Sequence, residues 1–219
     1  MTDSPKNDVS VAADEKKIPK AVIKRLSLYS RMLQELEHKN ITKISSKELS
    51  DLLGMNPAKV RKDLAYFGQF GVPGLGYYVS ELKAQIKRIL RTDREIRVAL
   101  IGVGHLGQAL LAYGGFLRQS FRVVAAFDTS PDKIGRTFNG VKVMSTEHLE
   151  DQIRTLGADI VVLAIPAENA QATVDQVVRA GIRAILNFVP ARIVCPEAIK
   201  VHYVDLGIEL ESLSYYLKD

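Results

Sequence analysis

The sequence predicts an α/β chain, a small helical domain followed by a parallel-sheet domain. Three observations predict it. Residues 1–94 hold 18 Lys and Arg against 11 Asp and Glu, and residues 95–219 hold 12 against 14, so a basic half precedes a mildly acidic one. Apolar residues of the first half recur three or four apart, the helical period. In the second half, short β-branched runs alternate with helical stretches, the pattern of strands covered on both faces.

The 219 residues suffice for one large domain or two small ones. With 47% hydrophobic and 25% charged residues, the composition is globular and excludes a disordered or collagen-like chain. The longest apolar runs, such as 160–165, fall far short of the roughly 20 residues of a membrane-spanning helix. No secretory signal opens the chain. A single cysteine, Cys195, permits no intrachain disulfide and reads as a small buried hydrophobe in a cytoplasmic protein.

Residues 1–17 are polar and aperiodic, a disordered tail. A helix begins at Pro19, with Val22, Leu26, Tyr29, Leu33 and Leu36 on one face. Ser45 and Glu48 form a capping box for a short helix that runs to Leu53 and stops at Gly54. Asn56 caps the next helix and Pro57 takes its first position. Helix, tight turn and helix make a helix-turn-helix, the centre of a domain spanning 18–80. Its second helix carries Lys59, Arg61 and Lys62, then Tyr66. Cations so near a helix N-terminus oppose the dipole unless they face phosphates. Double-stranded DNA is the partner this favours, with a solvated basic face as the alternative. The uncharged stretch from Ala65 to Ser80 interleaves glycines with aromatics, as in the hairpin of a winged helix or in a glycine-rich hinge. Residues 81–94 read as a linking helix.

Strands are expected at 96–101, 121–127, 160–165 and 184–188, with weaker ones at 141–143 and 201–204. Helices are expected near 105–119, 146–156 and 168–180. Gly102-Val103-Gly104-His105-Leu106-Gly107 follows the first of these strands and opens a helix. The second strand ends at Asp128, 21 residues past Gly107. This is the dinucleotide fingerprint in its required context, and it makes residues 95–204 a Rossmann domain. Gly102 permits the tight turn, Gly104 lets the backbone approach a pyrophosphate, and Gly107 allows close packing. Asp128 would accept hydrogen bonds from the adenosine ribose and repel a 2′-phosphate. Thr129 and Ser130 offer no arginine in compensation, so NAD(H) is favoured over NADP(H). A purely structural Rossmann domain and a coenzyme A site are the alternatives.

His105 reads as a neutral loop residue, and His38, His148 and His202 make no metal-ligand spacing. No catalytic set stands out, and after Asp205 only 14 residues remain, too few for a substrate domain. Cofactor binding therefore reads as sensing, with a small NAD-dependent oxidoreductase as the alternative. The last segment, 205–219, carries Leu206, Leu210, Leu213 and Leu217 on one stripe, to be buried on its own domain or on a second subunit.

Taken together, these features resemble the redox-sensing transcriptional repressor Rex family. The resemblance rests on Ile18-Pro19, Arg25-Leu26, Ser45 to Leu49, Val60 to Gly68, Gly74 to Tyr77, the Gly102–Gly107 loop and Leu186-Asn187-Phe188. It implies a homodimer that binds operator DNA when the NADH/NAD⁺ ratio is low and releases it when NADH closes the dimer. It further implies a C-terminal helix swapped between subunits. Arg31, Tyr113 and Asp205 match a relay, and Pro166, Asn187, Phe188 and Pro190 match the nicotinamide side. Val72-Pro73 stands where many members carry a basic wing residue.

Overall fold

The computed structural model describes residues 18–72 and 74–217; the expected tail and Pro73 lie outside them. The chain forms two compact units, one ending at Asp93 and the other beginning at Arg94.

The first unit holds α1 (Lys20–His38), β1 (Lys43–Ile44), α2 (Ser46–Leu52), α3 (Pro57–Ala65), β2 (Tyr77–Tyr78) and α4 (Val79–Ile89). Pro19 caps α1, and all five residues of its apolar stripe are buried. The capping box forms as expected: Ser45 Oγ accepts from Glu48 N–H, and Glu48 accepts from Ser45 N–H at 2.8 Å. Asn56 Oδ1 accepts from Ala58 N–H at 2.8 Å, so each helix of the α2–α3 pair has its own side-chain cap. Leu49, Val60 and Leu64 bring the pair onto the α1 stripe. α4 begins two residues earlier than expected because Val79 starts its buried stripe. Val79, Leu82 and Ile86 pack in the same core as α1.

The wing departs from a regular hairpin. Val72 and Gly76 exchange two backbone hydrogen bonds, 2.9 and 3.1 Å, and close a tight loop. The strand after it, β2, pairs antiparallel with β1. Gly68, Gly71, Gly74 and Gly76 all have positive φ, which prevents two continuous extended arms. A Cβ on Gly76 would stand 2.6 Å from the Ile44 carbonyl oxygen, so the approach of loop to β1 requires glycine.

The second unit holds β3 (Ile96–Ile101), α5 (His105–Ala112), α6 (Gly115–Arg118), β4 (Phe121–Asp128), β5 (Thr137–Phe138), β6 (Val141–Ser145), α7 (Leu149–Leu156), β7 (Ile160–Leu163), α8 (Ala170–Arg179), β8 (Ala184–Asn187), β9 (Lys200–Tyr203) and α9 (Leu206–Ser214). The sheet order is β5-β6-β4-β3-β7-β8-β9, and every pair is parallel except β5–β6. Without the short β5, the six parallel strands run 3-2-1-4-5-6 in chain order, the doubly wound dinucleotide-binding topology. Two apolar layers cover the sheet, one around Phe127, Leu163 and Val174, the other around Val98, Leu100 and Val103.

The helix expected over 105–119 breaks after Ala112. Tyr113 takes an extended backbone, and the Gly114-Gly115 pair after it disfavours a continuous helix. Cys195 is half-buried at the edge of the first layer rather than fully buried. Along α9 and the turn that follows it, the stripe Leu206, Leu210, Leu213 and Leu217 is 61–79% exposed, so its own unit does not cover it. No helix among the described residues is long and apolar enough to cross a membrane.

Candidate functional site

The sheet order reverses between β3 and β7, and a ligand crevice is expected beyond the strand ends at such a point. A cavity of about 530 Å³ lies there, within the ordinary size range of ligand sites. Gly102 and Gly104 after β3, Asp128 at the end of β4, and Ala164 to Pro166 after β7 line it. Thr146, Asn169, Thr173 and Gln176 add polar groups that no motif announced.

The loop geometry explains its glycines. Gly102 has φ +94°, and a Cβ there would lie 2.2 Å from the Ala164 carbonyl oxygen. A Cβ on Gly107 would lie 2.0 Å from the Gly102 carbonyl oxygen, where α5 crosses its own loop. Gly104 instead faces open space, with nothing within 4 Å of its Cβ position. The start of α5 is therefore free to approach an anionic group with its backbone N–H donors.

Asp128 is buried, and both carboxylate oxygens are engaged. Oδ2 accepts from Val103 N–H at 2.8 Å and from Lys133 Nζ at 3.1 Å; Oδ1 accepts from Ser130 N–H at 2.8 Å. Burial pushes the Asp128 pKa up, but these donors outweigh it and hold the carboxyl below its ordinary value. Asp128 thus clamps the glycine loop as well as facing the cavity. Lys133 supplies a cation that the absence of an arginine at 129 and 130 did not reveal. Asp128 therefore meets the cavity paired with a cation rather than as an isolated carboxylate.

Other expected cofactor residues serve around the cavity rather than in its wall. Val103 is fully buried, whereas His105 and Leu106 are exposed at the start of α5. Asn187 is fully buried and binds both the N–H and the carbonyl of Val189, shaping the turn after β8. Phe188 packs against the second apolar layer. Backbone N–H groups at the start of α5 and the Asp128 carboxylate thus line one crevice, a set that fits a nucleotide.

In the first unit, Lys59, Arg61 and Lys62 on α3 and Tyr66 at its C-terminal cap are exposed, while Val60, Asp63 and Leu64 turn inward. Arg61 Nη1 donates to Ser46 Oγ at 3.0 Å, which ties the α3 cation to the start of α2. The inward Asp63 was missed from sequence. It binds Arg25 Nε at 2.5 Å, Arg25 Nη2 at 2.7 Å and Tyr29 Oη at 2.7 Å. Burial raises the Asp63 pKa, but the Arg25 and Tyr29 hydrogen bonds together lower it by more, leaving it depressed. Burial and the Asp63 hydrogen bond push the Tyr29 hydroxyl up.

Of the expected relay, Arg31 is exposed on α1 of the first unit. Tyr113 sits at the break between α5 and α6, its ring edge-on to Phe116 at 5.1 Å. Asp205 caps α9, its Oδ1 accepting from Gly207 N–H at 2.9 Å and Ile208 N–H at 3.3 Å.

A helix-turn-helix unit followed by a dinucleotide-binding domain defines a nucleotide-responsive transcription regulator. The comparisons with known proteins agree. A family model described as "CoA binding domain" matches residues 93–191, and one described as "Putative DNA-binding protein N-terminus" matches 17–65. The redox-sensing transcriptional repressor Rex of Syntrophobacter fumaroxidans is 45% identical, covering 92% of this chain and 96% of its own. That of Brevibacillus brevis is 41% identical over 94% and 99%. Among solved structures, RSP, a Rex-family repressor, in complex with beta-NAD⁺ and operator DNA matches with TM-score 0.86 at 40% identity, over 90% of this chain and 91% of that one. Its beta-NADH complex matches with TM-score 0.81 at 38% identity, over 92% and 94%. The chain belongs to the Rex family of redox-sensing transcriptional repressors.

Proposed function

We propose that this chain senses the NADH/NAD⁺ ratio in the cytoplasm, binding operator DNA as a homodimer when NADH is low and releasing it when NADH binds. The observation that carries the reading is the Asp128–Val103 clamp at the switch-point cavity, in one chain with a helix-turn-helix that turns three cations outward. RSP solved with beta-NAD⁺ and operator DNA, and with beta-NADH, supports both ligands.

In this reading the loop from Gly102 through Val103, Gly104, His105 and Leu106 to Gly107 receives the pyrophosphate on backbone N–H groups. Asp128 orients the adenosine ribose. Pro166, Asn187 and Phe188 frame the nicotinamide end, where the redox state is read. Lys59, Arg61, Lys62 and Tyr66 meet the major groove and its phosphates. Val72 is exposed and uncharged at the wing, so phosphate contacts lean on α3. The leucine stripe of α9 pairs with a second copy, and Arg31, Tyr113 and Asp205 relay between cofactor and DNA halves.

The test uses labelled DNA selected by the protein from a random pool, with NADH, NAD⁺ or coenzyme A added to the preformed complex. Release by NADH at concentrations where NAD⁺ leaves the complex intact is expected. Release by coenzyme A alone, or no selectable DNA, overturns the reading.

A further inference from the structure

We propose that Lys133 is a specificity-determining residue of the dinucleotide site, one that holds open a weak second affinity for the 2′-phosphorylated cofactor. The inference rests on the NAD(H) reading above and deepens it.

Among the described residues lining the cavity, Asp128 and Lys133 are the charged ones, and they face each other across 3.1 Å. The placement of Lys133 is built in. Its N–H donates to the Ser130 carbonyl at 3.0 Å and its carbonyl accepts from Arg136 N–H at 3.0 Å. Gly135 and Arg136 are each bonded to Val143 of β6, at 2.9 and 2.8 Å. The turn that carries the lysine is therefore fastened to the sheet. Its side chain keeps 30% exposure, against 9% for Asp128, so the lysine lining the cavity stays open to solvent.

Donors and acceptors then decide what each residue can recognise. Oδ2 of Asp128 already accepts two hydrogen bonds, whereas Oδ1 accepts one and keeps a free lone pair. One ribose hydroxyl can donate there. A 2′-phosphate is a poor donor there, because at neutral pH it is mostly dianionic and its oxygens accept. Lys133 has three donors and spends one on Asp128, leaving two for a ribose oxygen or a phosphate. The two residues therefore push selectivity in opposite directions: Asp128 rewards the free hydroxyl, and Lys133 rewards the phosphate more than the hydroxyl. With the pair neutral overall, selectivity against NADPH is modest, coming from the lost 2′-hydroxyl donor and from crowding of the phosphate beside Asp128 rather than from unscreened repulsion.

Calorimetry with NADH and NADPH on the full chain and on Lys133→Gln tests this, since glutamine keeps a neutral donor toward Asp128. The expected result is a loss of NADPH affinity about tenfold or more greater than any loss of NADH affinity, a charge-assisted hydrogen bond to the phosphate having been lost. Lys133→Arg restores NADPH binding, and melting curves show both variants folded. NADPH binding to the wild type weakens more with added salt than NADH binding does. An equal change in both affinities, or no NADPH binding to wild type that binds NADH, overturns the role of Lys133 alone. Failure of the wild type to bind NADH overturns the underlying reading with it.

Discussion

Asp63 shares α3 with Lys59, Arg61 and Lys62, yet its carboxylate turns inward and is gripped by both Nε and Nη2 of Arg25 on α1. The Asp63 side chain is 3% exposed, and the bidentate grip fixes the rotation of α3 about its axis. A cation-bearing face thus points outward because an anion on the opposite face has a fixed partner.

Removing that charge is costly. Asp63→Asn leaves Arg25 without its counter-charge, and the loss falls near the lower end of about 3–5 kcal/mol because Arg25 stays 18% exposed. The folded-state pKa of Asp63 is depressed, so its stabilisation is complete above the ordinary aspartate range, about 3.9, and fades as pH falls through the lower folded value. Melting curves of wild type and Asp63→Asn are expected to differ most at neutral pH and converge in acid. A gap that is constant with pH contradicts the ion pair.

The two kinds of glycine in the loop separate stability from binding. Gly107→Ala forces a methyl against the Gly102 carbonyl oxygen and costs about 1–3 kcal/mol, read as a lower Tm. Gly104→Ala adds its methyl to open cavity space and leaves Tm near wild type. It weakens NADH binding by about tenfold, equivalent to 1.4 kcal/mol. Calorimetry and thermal melts on both variants check the contrast; equal behaviour contradicts it.

The exposed stripe of α9 predicts assembly. Leu210→Glu with Leu213→Glu places charge on a surface that a second copy has to desolvate. Light scattering is expected to give a dimer for wild type and the 24.2 kDa monomer for the double variant. Circular dichroism stays unchanged, since no described core residue lies on that stripe. A wild-type monomer contradicts the assignment.

Asp205 has two candidate roles, and one substitution separates them. Asn caps helices about as well as Asp, so Asp205→Asn keeps the bonds from Gly207 and Ile208 while removing the charge. Unchanged Tm with NADH-driven DNA release weakened by about 5–150-fold supports a relay with Arg31 and Tyr113. Unchanged Tm with normal release leaves Asp205 a helix cap only.

Features set by neighbours in sequence were legible. The Ser45–Glu48 box, the Asn56-Pro57 start and the glycine loop each span a few residues, and backbone geometry alone dictates the residue types. Features set by distant partners were not. Arg25 and Asp63 are 38 residues apart, and nothing local marks either as half of a buried pair. Lys133 belongs to no motif; a turn fastened by β6 brings it to Asp128. The wing was legible as a tight antiparallel turn, closed between Val72 and Gly76, but the positive-φ glycines that keep its arms short are set by the approach to β1. The break at Tyr113 was written in Gly114-Gly115, but the apolar period runs through it.

Cofactor and DNA bind one molecule with opposed preferences in this reading, and thermodynamic linkage between the two ligands is the direct test. NADH affinity is measured by titration on free protein and on protein saturated with operator DNA, and DNA affinity with and without NADH. Coupling is reciprocal, so DNA is predicted to weaken NADH binding by the same factor by which NADH weakens DNA binding, about 5–150-fold. Equal NADH affinity with and without DNA would contradict the account.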